Sequence, residues 1–572
     1  MALPTTSEIA GTSAASSPEG FIFTWRALLA AMLVASAILS PFFFRGNASG
    51  HDFEFHVASW MDAAWQWHQG VFYPRWAAWA NFGYGEPRFI FYPPASWVLG
   101  AALGSVLPWR MAPGALIWLA LVAAGISMYR LAREWMAPNE AIAAAALYTA
   151  NPYNLFLVYY RSDFAELLVS AIFPLLVLFA LRIGRAGLRG IMPLAVVFAF
   201  AWFSDAPAAV IATYSLALLL VVLSFIERSP RPMLWGGLAM AAGFGLAAVY
   251  IVPAAWEQKW VQIHQVLARE LRPQDNFLFT HANDPEFVIF NWKVSTAAVA
   301  VLLVTWIALA ISNPRRRSAP EAWWSLAALC AASTALMFPV SAVAWQLLPE
   351  LRFVQFPWRW LVPLDVAFAA FVAMASARLR RRWIVWAAAG LALAGAATVI
   401  VRDAWWDSED VVVLAAAMRS GHGYEGTDEY QPLGCDRYEL PENAPRVALE
   451  HAAAPGEAQH NPRIHVERWS AEHKTLEVDS ARPMTVVLKL LNYPEWRAEV
   501  NGRVVRLQSK PESGQILLTL PAGHSRADVA FTRTPDRTVG GVISAVSVFA
   551  LAGLALFERR RSLRSGTHAS RP

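Results

Sequence analysis

The sequence predicts a mostly α-helical, polytopic membrane protein of about twelve transmembrane helices, with one small β-domain near the C-terminus. Three observations predict it. Of 572 residues, 56% are hydrophobic and only 16% are charged, and apolar runs recur at the roughly twenty residues a bilayer crossing needs. Arginines gather in the short loops between those runs, where they set topology rather than bind nucleic acid. From residue 402 to 537 the long apolar runs stop, and alternating runs separated by turn residues take over, the period-two signature of strands.

Residues 1–20, rich in Ser, Thr and Ala, read as a disordered cytoplasmic tail. The run Phe21–Phe44 is too long for a signal h-region and reads as an uncleaved first helix. Further spans are expected near 113–131, 138–156, 165–182, 190–203, 206–226, 233–255, 293–311, 320–346, 358–377, 383–401 and 538–557. The basic clusters Arg182 to Arg189, Arg228 and Arg231, Arg315 to Arg317, Arg378 to Arg382, and Arg559 to Arg561 are assigned to the cytoplasm. That assignment places both termini inside, with 558–572 a basic tail, in a cytoplasmic (inner) membrane. It places loop 45–94, Tyr159–Glu166, Trp256–Trp292, Pro349–Arg359 and the region 402–537 outside. The apolar piece Ala95–Leu107 is short and bounded by prolines, so it is expected to be re-entrant or interfacial.

The domain organisation expected is thus a transmembrane domain over 21–401, an extracytoplasmic β-sandwich-like domain over 402–537 and a last helix over 538–557. Strands are expected at Arg463–Trp469, Thr475–Val478, Met484–Leu491, Arg497–Val500 and Gln515–Leu520. The absence of an internal repeat weighs against a transporter built from two alike halves. The two cysteines, Cys330 within a span and Cys435 in a polar region, suggest neither a disulfide framework nor a thiolate metal site.

Chemistry concentrates in three outer stretches. A helix from about Asp52 to Gln69 would carry Phe53, Val57, Trp60, Ala64 and Trp67 on one stripe and lie on the membrane surface. Asp52 and His56, one turn apart, would then present a carboxylate and an imidazole to water, as a general base or part of a metal site, with Glu54 pointing elsewhere. The alternative is an N-cap Asp52 beside interfacial histidines. Glu86 and Arg88 further along the loop are expected to pair. Asp163 and Glu166 share a helical face at the mouth of the next span, where carboxylates are costly unless functional or paired, here with Arg161. Arg359 follows Pro357 at the start of a span, so a helix N-terminus and a guanidinium together offer a phosphate site; the alternative is an interfacial arginine snorkelling among tryptophans.

An outer loop with an early acid, the exit Tyr92-Pro93-Pro94, acids in a second outer loop and a long later loop resembles the GT-C superfamily of membrane glycosyltransferases. Within that group, Asn151-Pro152-Tyr153, Tyr160-Arg161 with Ala165-Glu166, and Gln355-Phe356-Pro357-Trp358-Arg359 are similar to bacterial membrane proteins labelled 6-pyruvoyl-tetrahydropterin synthase-related. Leu491 to Arg497 with Val500-Asn501-Gly502 resembles the tail domain of proteins implicated in glycosylating envelope polymers. Two departures stand out: Asp205 where the family often has His, and Asp-Phe-Glu at residues 52–54 in place of two adjacent acids. The histidine cluster of the soluble pterin synthases is not readable here, so the label is a name rather than an activity.

The resemblance implies transfer of a sugar from a polyprenyl-phosphate donor to an envelope polymer, lipid or protein among membrane lipids, by an inverting mechanism. Catalytic candidates are Asp52, Glu54, His56, Asp163 and Glu166. Arg359, Gln355 and Arg161 are candidates for the donor phosphate, and Asp52 and Asp163 for a divalent cation, Mg or Mn. A lipid-linked sugar or polymer transporter and a non-catalytic envelope assembly protein are the alternative readings.

Overall fold

Hydrocarbon offers no water to backbone amides, so each apolar run must close its hydrogen bonds within itself, and it folds as a helix. The structure is a computed structural model that describes residues 18–568 apart from 282–283, 407–408 and 451–461. The tail expected over residues 1–20 lies almost wholly outside the described residues, as does the end of the basic tail. The main helices are α1 (Pro18–Leu39), α2 (Phe53–His68), α3 (Pro94–Val106), α4 (Ala112–Ala132), α5 (Pro138–Thr149), α6 (Phe164–Ala186), α7 (Leu188–Ser204) and α8 (Ala206–Glu227). They continue as α9 (Arg231–Glu257), α10 (Pro285–Ser312), α11 (Pro320–Leu336), α12 (Leu361–Ser376), α13 (Arg382–Asp403), α14 (Asp410–Ser420) and α15 (Pro535–His568).

Among the described residues ten helices are long and apolar enough to cross a membrane, or eleven if α11 and the segment after it form one span. The crossing expected at 320–346 is broken, because Pro320–Leu336 and Pro339–Leu347 meet at 92°. Pro339 forces Phe338 into extended backbone, which no helix can pass through. The expected span at 190–203 is α7, whose 17 residues leave it outside those ten. The piece expected not to cross is the 13-residue α3, far below bilayer thickness at 1.5 Å per residue.

Burial separates centre from periphery. Every residue of α12 is buried, as is most of α6, whereas Ile400 alone is buried in α13. The N-termini of α6 and α12 lie at one end of the bundle, where Asp163 and Arg359 meet. At the other end the basic clusters gather, with Arg189 paired to Glu558 at 2.8 Å and Arg185 and Arg561 lining the same small cavity.

Helix α2 was expected on the membrane surface, and the structure corrects this. His56 through Ala64 are all buried, right round the helix, because α3, α14 and the segments around residue 424 enclose it. Gly100 makes the closest approach: a Cβ there would lie 2.0 Å from the ring of Trp60. Asp62, fully buried, accepts from Gln66 Nε2 (2.9 Å), Trp79 N (3.0 Å) and Tyr424 Oη (3.0 Å), and burial raises its carboxyl to about 6.

The C-terminal region opens with α14 and then forms β1 (Val447–Leu449), β2 (Arg463–Trp469), β3 (His473–Ser480), β4 (Met484–Leu491), β5 (Trp496–Val500), β6 (Arg503–Val505), β7 (Gln508–Ser509), β8 (Gln515–Leu520) and β9 (Gly523–Phe531). Two antiparallel sheets result, ordered β1-β4-β8-β7 and β2-β3-β9-β5-β6. Their inward residues, such as Leu488 and Leu518 on one and Val478 and Val529 on the other, share one core. The loop after α2 enters that core, where Trp76 packs against Tyr493, Trp496 and Phe531.

Glu86 and Arg88 pair as expected, with Arg88 Nε 2.7 Å from Glu86 Oε1 and both side chains buried. Glu86 also accepts from Asn81 Nδ2 at 3.1 Å and Thr427 N at 3.0 Å, and Arg88 donates to Ser59 Oγ at 3.0 Å. The pair therefore clamps the loop between α2 and the C-terminal region. Removing one member strands a buried charge: Arg88→Met is expected to cost about 3–5 kcal/mol, whereas Arg88→Met with Glu86→Leu is expected to recover most of it. Thermal unfolding of the purified protein in detergent measures both, and equal losses in single and double variants would show that the pair is not the clamp.

Candidate functional site

The site starts from an irregular stretch of backbone. After Asn151-Pro152 the helical path tightens and then widens into a π-turn over Leu157–Arg161, and Ser162 takes a left-handed φ of 51° before α6 begins. Such π-turns redirect side chains that a regular helix would spread around its axis. The stretch before α2 runs alongside it: Gly50 N donates to Ser162 Oγ (2.9 Å), His51 N to Tyr160 O (3.2 Å) and Asp52 N to Arg161 O (2.8 Å). Gly50 is required for this approach, since a Cβ there would lie 2.5 Å from the Tyr160 carbonyl oxygen. The backbone pairing sets Asp52 beside Arg161.

Around Arg161 the charges interlock. Its Nη2 donates to Asp52 Oδ2 at 2.6 Å and lies 3.0 Å from Asp163 Oδ2. Its Nη1 lies 3.8 Å from Glu166 and is buried without a hydrogen-bond partner. The guanidinium sits 5.3 Å from the rings of both Phe356 and Trp358, a cation–π arrangement. Asp163 caps α6 by accepting from Glu166 N at 2.9 Å. Tyr153 donates its hydroxyl to Glu166.

Arg359 closes the cluster. Its Nε donates to Glu166 Oε2 at 2.9 Å, its Nη1 to Val354 O at 3.1 Å and its Nη2 to Asp163 Oδ2 at 3.4 Å. This corrects the expectation of an arginine held ready for phosphate: two buried carboxylates and a carbonyl already take its donors. Gln355, the other candidate from that stretch, donates to Val266 O at 2.7 Å and so ties the loop over residues 256–292 to this one.

His56 is also corrected. It does not stand with Asp52 facing water; it is sealed in the core, with Nδ1 3.0 Å from Ser96 Oγ and Nε2 3.5 Å from Tyr92 Oη and 3.9 Å from Asp163 Oδ1. Because α2 is enclosed, its next turn inward cannot reach solvent. Burial lowers the basicity of His56 and outweighs the opposing effect of Asp163 and Asp52. Glu54 is exposed and stands apart from the cluster, as the helix phase requires.

These groups border a cavity of about 780 Å3. Asp52, Tyr92, Arg161, Asp163, Asp205 and Arg359 form its polar side, and Trp202, Val210, Ile251 and Phe287 from the spanning helices belong to its apolar side. The long loop over residues 256–292 borders the cavity too, through Ile263, Val266 and Leu271. Asp205 and Tyr92 were not singled out as site residues. Asp205 reads locally as the N-cap of α8, accepting from Ala208 N at 2.7 Å, and only the tertiary fold brings it near Asp163. Burial first, and then the charge of Asp163, raise its carboxyl to about 6. Burial pushes Asp163 the same way, but Arg161, Arg359 and His56 prevail and hold it below the usual carboxylate range.

Four carboxyl groups thus face two guanidinium groups. Among the described residues no three His, Cys, Asp or Glu side chains are grouped to hold a metal ion. Arg161 lies between Asp52 and Asp163, so a divalent cation bound by both would have to displace its guanidinium.

Two outcomes follow from this geometry. Gly50→Ala is expected to cost about 1–3 kcal/mol by forcing apart two packed backbones, while Gly390→Ala in α13, with nothing within 4 Å of its Cβ, costs none; thermal unfolding in detergent reads both. Asp205 holds its proton more tightly folded than unfolded, so stability falls as pH rises from 3.8 to about 6 and stays low above. Asp205→Asn keeps the cap and removes that cost. A gain on the order of 2–3 kcal/mol is expected at pH 7.5 and none near pH 4; a gain equal at both pH values would contradict the electrostatic account.

No curated protein matches the chain. The family described as the 6-pyruvoyl-tetrahydropterin synthase related domain, a membrane protein, matches residues 89–409, more than half the chain. The match takes in Arg161, Asp163, Glu166, Asp205 and Arg359 and begins after Asp52 and His56. With at least ten helices among the described residues long and apolar enough to cross a membrane, and this match, the chain is a multi-pass membrane protein of the 6-pyruvoyl-tetrahydropterin synthase related family.

Proposed function

We propose that this chain is an inverting glycosyltransferase of the GT-C kind, moving a sugar from a polyprenyl-phosphate donor to an envelope acceptor at the outer face of the cytoplasmic membrane. The observation that carries the reading is the exposure of Asp52. Its side chain is 34% accessible on a cavity where Asp163 and Glu166 are sealed at 4% and 0%. Among the described residues its Oδ2 is held by Arg161, and no hydrogen bond is made to Oδ1. That oxygen suits a general base positioned by its partner.

In the proposed step the acceptor hydroxyl gives its proton to Asp52 and attacks the anomeric carbon. The bond from that carbon to the phosphate oxygen breaks, and polyprenyl phosphate leaves from the opposite face. Arg161 borders the cavity and has Nη1 without a partner, so it takes the role of phosphate ligand, where a charge-assisted bond stabilises the departing anion. Arg359, Asp163 and Glu166 act as positioning residues that fix Arg161. The apolar side chains of Val210, Ile251 and Phe287 suit the first prenyl units of a donor arriving from the bilayer.

Membranes supplied with labelled polyprenyl-phosphate sugar test this. Asp52→Asn is expected to lower transfer by at least about 100-fold with donor binding retained, and Arg161→Gln to raise the donor KM. Full transfer by Asp52→Asn would end the reading. A strain lacking the protein is expected to accumulate lipid-linked sugar and lose one envelope glycan.

A further inference from the structure

A second and larger cavity, about 1,120 Å3, lies along the C-terminal half of α2, where the helix faces α14 and the β-domain. It begins with Met61, roughly 14 Å along the helix axis from Asp52, and the acid site makes no use of it. Its chemistry is the reverse of the first. Among the described residues no Asp or Glu lines it, whereas Arg419, Arg446, Lys474 and Lys489 do.

These cations divide into two kinds. Lys474 is sealed at 3% exposure and spends its amine on Ser470 O (2.6 Å) and Ala471 O (2.7 Å) above the ring of Trp496, so it builds the wall. Lys489 donates to the Glu442 carbonyl, at 3.3 Å, and its amine sits 5.5 Å from the centre of the Tyr84 ring. Burial and then the neighbouring Arg446 lower its amine from the usual lysine range, as two cations brought together without an acid between them would. Arg446 and Arg419 are exposed. Positive groups held together at a cleft focus a field that attracts anions.

The lining is also rich in aromatic rings. Five tryptophans border the cleft, against Leu490 as the one branched aliphatic residue. Trp65, Trp79 and Trp469 are half-buried, and Trp79 has a buried Nε1 with no hydrogen-bond partner. Flat indole faces suit the C–H faces of pyranose rings, and an indole N–H suits a sugar hydroxyl. Acyl chains would call for more of the large branched aliphatic side chains, of which Leu490 is the single example in this lining. Its volume exceeds the roughly 300–1,000 Å3 of a small-molecule pocket and suits several linked rings.

We propose that this cleft binds an anionic oligosaccharide segment, its rings on Trp79 and Trp469 and its carboxylate or phosphate groups on Lys489, Arg446 and Arg419. The site does not depend on the transfer reading, since it would hold such a polymer equally in an assembly protein. The full chain purified in detergent provides the test, with tetragalacturonate as the anionic probe and maltotetraose as the neutral one, followed by calorimetry at low and high salt. Tetragalacturonate is expected to bind at least 10-fold more tightly than maltotetraose, with the advantage shrinking in high salt. The variant Arg419→Gln with Arg446→Gln, altered at exposed positions that leave the fold intact, is expected to lose at least 10-fold for the anionic probe. Trp469→Ala should weaken both probes. Equal binding of the two saccharides, an unaffected double arginine variant, equal binding of a tetraglutamate peptide, or binding confined to vesicles of anionic lipid would each overturn the proposal. Asp52→Asn membranes assayed for transfer report on the other cavity, so the two readings fail separately.

Discussion

The arrangement at the end of the bundle where α6 and α12 begin depends on one guanidinium. Arg161 sits where the chain leaves a π-turn, and three acids converge on it: Asp52 from the distant loop before α2, and Asp163 and Glu166 from the start of α6 immediately after it. A buried cation of this kind costs several kcal/mol unless acids surround it, and buried acids cost as much unless a cation does. Neither side can therefore be placed without the other. Arg359, arriving from the segment before α12, completes the set with the same two acids of α6. The two helices with the most buried surroundings thus begin at one cluster, and the N-terminal end of α2 is joined to it.

A similar logic operates where the membrane helices meet the β-domain. Glu86 and Arg88 form a sealed pair, and Asp62 takes three hydrogen bonds, one of them from Tyr424. Trp76 plugs the core of the sheets. The loop after α2 is therefore a socket rather than a flexible connection. It separates two cavities of opposite chemistry along one helix: an acid-rich one at Asp52 and a cation- and indole-rich one beyond Met61.

Much of the fold was readable because membrane and strand patterns are local. Three strands, Arg463–Trp469, Met484–Leu491 and Gln515–Leu520, fall on the residues where alternation places them. The short β6 and β7 and the polar edge of β9 gave weaker alternation, and sheet pairing defines them. The helix at α2 was readable from its period, yet its location was not. An amphipathic stripe says which face is apolar, and it cannot say that the polar face will be covered by a second domain folded hundreds of residues later.

The sequence by itself determined the multi-pass helical character and the β-domain, because each follows from composition and period over a few turns. Tertiary structure decided what those residues do to one another. It made Arg359 a partner of acids instead of a free phosphate ligand, turned His56 inward to Asp163, brought Asp205 to the site, and left Asp52 accessible from the cavity while Asp163 is sealed. Charge pairing and burial depend on which segments meet across more than a hundred residues, and no local pattern carries that information.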